Sequence, residues 1–467
     1  MSRAGPLAAE ARIAASTGNE APRAWLAPLL LAAIAAAAWA PALRGGFHFD
    51  DLPNIVLDPA TAGGAALAER LANGFRPLLR LSYALDHALW GFDAAGFLAT
   101  NLVLHAVTVL LVWRLACRRL AEPAAALAAA AIFALQPAHG AVVAWSSGRS
   151  TGLSTLLLVA ALLAHERAVR RPGASRQAPA LLLMAVACLA KEVALVFPLV
   201  VLLWETTRAE FPGWRTALRR ATPSIILAGL GGAAMLFASP RLRELLQFSF
   251  ALATPDAALA AHLAAVPATL SLWVRPWSLA IEHPAPTGAL ATIAGAAVVA
   301  AMIALAVQQR RARPLLALAL LWPLVLLLPT HSVIARLDVI VEKPLYAAWI
   351  GPCLALGALA AAITRAPGRL RAGLAAAAML ALAALSAWRA EVWAEPVAVW
   401  REAATRNPGS ARAWINRAVA ELEAGDVAAA RRWIAVARGL DPGAAKIADA
   451  EFALSLMLST AREDAVR

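Results

Sequence analysis

Apolar residues in this chain come in blocks of about twenty, and arginine-rich breaks separate them. A helix rises 1.5 Å per residue, so about twenty apolar residues cross the hydrocarbon core of a bilayer. The pattern predicts spans at Trp25–Leu43, Phe97–Cys117, Ala124–Leu135, a fourth ending near Arg167 and a fifth ending at Lys191. It continues with a sixth ending at Arg208, then Pro223–Ala238, Ala289–Val307, Leu315–Leu328, Tyr346–Ile363 and Ala372–Trp388. Lys and Arg collect on the cytoplasmic side of short loops. Arg118-Arg119, Arg167 with Arg170 and Arg171, Arg208 to Arg220, Arg310 to Arg313, and Arg365 to Arg371 therefore mark one side. The breaks at Asp50-Asp51, 136–150, Lys191-Glu192 and 329–344 mark the other. Ala257–Pro284 must hold an even number of crossings to keep the alternation. Zero is preferred: a helix at or dipping into the outer surface, with Trp273 and Trp277 at the interface. The total is about 11 crossings, with the C-terminal tail outside.

From Glu391 the period changes. Apolar residues recur at helical spacing among charges, and Pro408 and Pro442 stand 34 residues apart, the period of a tetratricopeptide (TPR) repeat. With Ala411 as the first position, Trp414 falls at 4, and Ala418, Ala430 and Ala437 fall at 8, 20 and 27. Small residues there let the two helices of a repeat approach closely. Arg417 and Glu421 depart from the usual Leu and Tyr. One full repeat is expected, with a half repeat at Val397–Pro408 before it and a helix at Lys446–Leu458 after it. An ordinary amphipathic hairpin is the alternative. The organisation is thus an all-α polytopic bundle: a cytoplasmic N-terminal tail (1–22), a transmembrane domain (23–390) and an extracytoplasmic TPR-like domain (391–467).

Composition changes this picture little. Hydrophobic residues make up 61% of the 467, with a mean hydropathy of +0.66, above the half-apolar norm of soluble domains. A net charge of +13 would suit a nucleic-acid binder, but the positive residues alternate between loops and follow topology. Cys117, Cys188 and Cys353 lie in or beside apolar runs and form neither a disulfide framework nor a metal cluster. Arg3, Arg12 and Arg23 precede the first block, as in an uncleaved anchor. The alanine- and arginine-rich composition points to a bacterial inner membrane, with the outer loops and tail periplasmic.

The candidate chemistry lies in the outer loops. Asp50-Asp51 ends GGFHFDD at the mouth of the first span. Adjacent acids repel, and one with a raised pKa suits proton transfer. Solvation of the helix end is the structural alternative. A divalent cation bound by the pair ranks second, since no DxD spacing is present, and no metal is assigned. Arg76, Arg80, Arg149, Lys191, Arg336 and Lys343 are cations where topology calls for none, which suits phosphate binding. Lys191 is one of only three lysines in an arginine-rich chain, and Glu192 beside it offers a simpler helix-ending pair. Asn101 and His105 share one helix face and suit interhelical hydrogen bonding. His139 lies in an outer loop, and Trp145 is expected at the membrane interface.

FHFDDLPNIV, then RPLLRLSYALDHALWGFDAAGFLATNLVLH from Arg76, FALQPAHGAVVAWSSGR from Phe133, LAKEVALVFPLVVLLWE and VEKPLYAAWIG from Val341 follow one another in order. This set resembles the GT-C superfamily, and most closely the transmembrane-and-TPR-containing O-mannosyltransferase-like proteins. The resemblance implies a glycosyltransferase that moves a sugar, mannose by the nearest likeness, from a polyprenyl-phosphate carrier to an extracytoplasmic acceptor such as a protein hydroxyl. It implies Asp50 and Asp51 as catalytic, Arg76, Arg149, Lys191 and Lys343 as donor-phosphate ligands, and Asn101, His105, His139 and Glu192 as supporting polar groups. The tail would capture the protein acceptor. Leu98, Gln136, Ala141, Thr151, Lys343 and Pro344 depart from the family pattern. They keep a second reading open, a GT-C-like scaffold without chemistry that acts through its tail.

Overall fold

In the computed structural model the described residues are 21–72, 75–170, 174–364, 368–444, 446–452 and 454. The expected 1–22 tail, Arg171, Arg365 and the end of the last expected helix fall wholly or mostly outside them. All regular structure among the described residues is helical. The helices used below are α1 (Ala21–Trp39), α2 (Pro77–Trp90), α3 (Ala94–Arg119), α4 (Pro123–Ala134), α5 (Arg149–Arg170), α6 (Ala178–Ala190), α7 (Phe197–Thr206), α8 (Trp214–Ala238), α9 (Pro240–Leu252), α10 (Pro255–Ser271), α11 (Ala289–Gln309), α12 (Pro314–Leu327), α13 (Ile350–Thr364), α14 (Arg369–Ala394), α15 (Pro396–Arg406), α16 (Ala411–Glu423) and α17 (Val427–Leu440).

Seven helical stretches are long and apolar enough to cross a membrane, and the chain is an integral membrane protein. Two bent pairs would bring the number to nine if each were one span: α4 with Pro137–Val143 at 54°, and α9 with α10 at 84°. The expected 11 included α6, α7 and α12, which have only 13, 10 and 14 residues. At 1.5 Å per residue these reach about 15–21 Å, short of the roughly 30 Å hydrocarbon core.

The alternation of loops nevertheless holds. At one end of the bundle Arg119 donates to the Thr207 carbonyl (2.8 Å), Arg220 pairs with Glu205 (2.6 Å), and Arg310 stacks over Phe211 and Trp214. At the other end the loops 45–58, 136–150, 191–196 and 329–344 converge. Ala257–Pro284 begins and returns at this second end. α9 lines the cavity described below, and Leu272 and Leu279 pack on Ala138, Ile340 and Leu345. Trp277 is exposed, as an interfacial residue would be. Trp273 instead packs on Trp349 (4.7 Å), and Trp145 is 4% exposed. Neither indole takes the interfacial position expected of it, because the protein offers each an aromatic partner.

One large core runs through the bundle, around Trp39, Phe133, Trp204, Trp322, Tyr346 and Trp393. Between helices in a membrane, close van der Waals packing replaces the hydrophobic drive. Alanine and glycine permit it: a Cβ added at Gly357 of α13 would stand 2.6 Å from the Ala125 carbonyl oxygen and from Ala129 of α4.

Beyond α14 the chain folds back over the loop end. Ser410 caps α16 at Ala413 N (3.1 Å), and Asp426 caps α17 at Ala429 N (2.8 Å). Ala418, Ala430 and Ala437, the registered small positions, are all fully buried between these helices. Residues 446–452 are helical.

Candidate functional site

The loop after α1 enters through His48, which is 4% exposed and packs beside the rings of Trp145 and Trp393. Phe49 then takes φ +53°, a left-handed conformation that side chains other than glycine rarely adopt. The chain turns at once into a short π-turn, Leu52–Val56. Asp51 faces inward with no exposed surface. Its Oδ1 accepts from Ser147 N (2.7 Å) and Ser147 Oγ (2.5 Å), and its Oδ2 accepts from His48 N (3.3 Å). Burial pushes the Asp51 carboxyl up to about 6, against the pull of these hydrogen bonds. Asp50 faces the other way, with its side chain 43% exposed and Lys343 Nζ 3.8 Å from Oδ2. The pair therefore divides: one acid ties two loops together and the other opens to solvent.

Asp50 looks into a cavity of about 900 Å³. One wall is cationic. Arg76 binds Glu192 through two contacts (2.6 and 2.9 Å), and Arg80 pairs with the buried Asp58. Lys191 Nζ donates to Thr151 Oγ1 (2.7 Å). Arg336 and Lys343 complete this wall. Among the described residues neither Lys191 nor Arg336 has a carboxylate in salt-bridge contact. Burial would raise the Glu192 carboxyl, but Arg76 outweighs it and holds Glu192 at about 2. Burial, and then the charge of Arg76, keep Lys191 well below the usual lysine range. Burial also lowers Lys343 to about 8, although Asp50 and Asp51 pull upward. Its ammonium stands 3.6 Å from the centroid of the Trp145 ring.

The opposite wall is apolar. Leu195, Val196 and Leu199 face Met235 and Leu236 of α8, and Leu242, Leu245 and Leu246 of α9 close it. Phe248, also in the cavity lining, is 52% exposed.

Three expected residues lie elsewhere. Arg149 has no exposed surface and does not line the cavity. It pairs with Asp86 (2.5 Å) and donates to Asn101 Oδ1 (2.9 Å) and the Phe97 carbonyl (2.7 Å). A buried guanidinium takes carboxylate and carbonyl partners from the protein itself, and Arg149 is engaged in this way at Nε, Nη1 and Nη2. His139 is not in a solvated loop. It is fully buried against Phe133, His105 and Tyr346. Asp51, as described, braces Ser147 and does not reach the cavity. Asn101 donates to the Trp145 carbonyl (2.8 Å), and His105 lies 2.8 Å from the Tyr346 hydroxyl, so both hold the bundle together.

Other polar groups were missed from sequence. Asp86 sits on α2, and its helical position alone does not announce Arg149 as partner. Glu342 lies inside the VEKPLY motif. It accepts from Ala280 N (2.7 Å) and stands 3.9 Å from Arg389. Its place directly before Lys343 was the available signal. Among the described residues, no three His, Cys, Asp or Glu side chains gather as metal ligands.

Comparison with known proteins places the chain beside one kind of enzyme. It is 32% identical over 139 residues to the protein O-mannosyl-transferase Tmtc1 of Drosophila melanogaster, covering 27% of this chain and 16% of that protein. It is 32% identical over 187 residues to Tmtc2 of the same fly (36% and 20%), and 30% identical over 181 residues to TMTC3 of Mus musculus (35% and 20%). The match spans a fifth or less of the length of each of these relatives. The resemblance drawn from the loop motifs is thereby met by curated proteins of that kind. No family model matches the chain, and no solved structure matches it.

Proposed function

We propose that this chain is a membrane glycosyltransferase that moves a sugar from a polyprenyl-phosphate carrier to a protein hydroxyl. Mannose is the sugar that the names of the relatives suggest. The observation that carries this reading is the cavity: a partly exposed carboxylate, Asp50, meets a cationic wall on one side and an apolar wall on the other. Such a donor has matching parts, a sugar and phosphate followed by a hydrocarbon chain.

In the reaction, Asp50 accepts the proton of the acceptor hydroxyl as its oxygen attacks the anomeric carbon. The bond from that carbon to the phosphate oxygen breaks, and the phosphate leaves with both electrons. Lys191, Arg336 and Lys343 stabilise the growing negative charge. Arg76 takes part through its exposed edge while Glu192 holds it in place. No metal is needed in this scheme. The carrier chain lies along Leu242, Leu245 and Leu246 of α9.

The cavity is read as facing away from the cytoplasm, since arginines gather at the opposite end. Residues 391–467 are read as a TPR-like domain that presents the acceptor, on a transmembrane domain of residues 23–390. The bacterial inner membrane rests on composition alone, because the relatives named above are animal proteins. Of the departures from the family pattern that favour the scaffold reading, Gln136 and Ala141 are buried and do not line the cavity, whereas Lys343 and Pro344 line it.

The test is transfer of radiolabelled sugar from membrane-supplied polyprenyl phosphates to envelope acceptors. Asp50→Asn should lower transfer on the order of 10²–10⁴-fold at equal expression. Equal labelling in wild type and variant would sink the proposal.

A further inference from the structure

We infer that the C-terminal helices position the base: Trp400 of α15 holds Phe49, and Phe49 sets the turn that presents Asp50 to the cavity. This inference rests on the transferase reading for the role of Asp50.

Among the described residues only Phe49 and Arg76 combine a side chain with positive φ. Both stand at the cavity, one as a wall residue and the other directly before Asp50. Left-handed backbone at a bulky residue is unfavourable and persists only where the surroundings over-determine it. For Phe49 those surroundings come largely from the far end of the chain. Its ring meets Trp400 edge-on at 5.0 Å, and Lys446 Nζ stands 5.5 Å from its centroid. Trp145 closes the other side at 6.2 Å. Phe49 thus packs both on the membrane core and on the cluster of Trp400, Ala403, Ala404, Ala413 and Ala420.

The consequence falls on the next residue. With Phe49 held, Asp51 N bonds the His48 carbonyl (3.0 Å) and Leu52 N bonds the Phe49 carbonyl (3.2 Å). That turn sends Asp51 inward and Asp50 toward Lys343. Trp145 is common to both partners, since Lys343 stands over its ring and Phe49 packs beside it. Independent tethers keep α15 in place. Arg389 pairs with Glu402, and Arg406 donates to the Leu279 carbonyl (3.1 Å). Trp400 does not line the cavity and is a positioning residue.

The test uses the full chain in membranes. Trp400→Ala should lower kcat on the order of tenfold to a hundredfold, as expected for a displaced catalytic group, with donor KM changed by less than about twofold. Trp400→Phe should restore most of it. At Phe49 the order of variants is diagnostic. Glycine adopts positive φ freely and alanine does not, so Phe49→Gly should retain more transfer than Phe49→Ala. A role in packing alone gives the reverse order. A second readout needs no activity. With Cys117, Cys188 and Cys353 changed to alanine, the cysteine of Asp50→Cys is labelled with a maleimide, and adding Trp400→Ala should change the labelling rate several-fold. Wild-type kcat and an unchanged labelling rate in Trp400→Ala would overturn the inference. A wild-type chain that transfers nothing, while Trp400→Ala still alters labelling, would sink the transferase reading and uphold the brace.

Discussion

Asp50 and Asp51 are neighbours in sequence and differ in almost everything else. The Asp51 carboxylate serves Ser147 and His48, so its loss is a matter of stability. Asp51→Ala leaves the Ser147 N–H and hydroxyl without their acceptor. It should destabilise the protein by about 1–3 kcal/mol, measured as a lower melting temperature in detergent. Lys343 carries the clearest pH prediction. In the proposed reaction transfer requires its charge, and it should fall as pH rises through about 8. Lys343→Arg keeps the charge at any accessible pH, so the alkaline limb should vanish from the pH profile of kcat/KM. Stability runs the other way. A lysine whose folded pKa is lowered contributes stability above its unfolded value of 10.5, and this is lost as pH falls through about 8. Lys343→Met should therefore raise the melting temperature at pH 7 while transfer is lost, and the gain should disappear above pH 10.5. A melting temperature lowered at pH 7 would show that the ammonium is not held at a cost.

The elements explain how a polar site can sit at a membrane surface. α2 begins at Arg76 in a left-handed conformation, with Pro77 at its first position, where a missing N–H costs nothing. That start turns Arg76 toward Glu192. α9 repeats leucines and a serine at 242, 245, 246 and 249, one helical face, and this face forms part of the cavity wall. If the carrier chain lies there, Leu245→Asp should raise KM for a long-chain donor on the order of tenfold, about the effect of losing one buried apolar side chain. A short-chain donor should be far less affected, and an equal loss for both would remove α9 from the donor site. Such amphipathy is legible in sequence. The lengths of α6, α7 and α12 were not, because an arginine break marks where a loop lies and says nothing of how many residues reach it.

At the scale of the molecule, the C-terminal helices are strapped onto the cavity rim. Arg412 donates to Glu282 (2.8 Å) and pairs with Asp338, which lines the cavity, and Asn407 donates to Glu282 (3.0 Å). Glu282 is 5% exposed, so removing its cation is costly. Arg412→Ala should weaken this docking by about 1–3 kcal/mol and speed proteolytic cleavage in the turn at 407–410. Cleavage at the wild-type rate would mean that the strap does not hold the tail.

The sequence by itself determined the helical membrane body, the alternation of its loops, the shift in period at Glu391 and the likeness to the mannosyl-transferases. These are local signals: apolar run length, arginine placement, a repeat and ordered motifs, each written in adjacent residues. It also brought the cationic wall into view, since Arg76, Arg80, Lys191, Arg336 and Lys343 are charges where topology calls for none. Only the tertiary structure separated Asp50 from Asp51, withdrew Arg149 to Asp86 and His139 into the core, and set Trp400 against Phe49. Burial and pairing decide the role of a side chain, and partners here lie as far as 397 residues apart, from Phe49 to Lys446. No spacing within one segment encodes such a contact, because it exists only once the helices have packed.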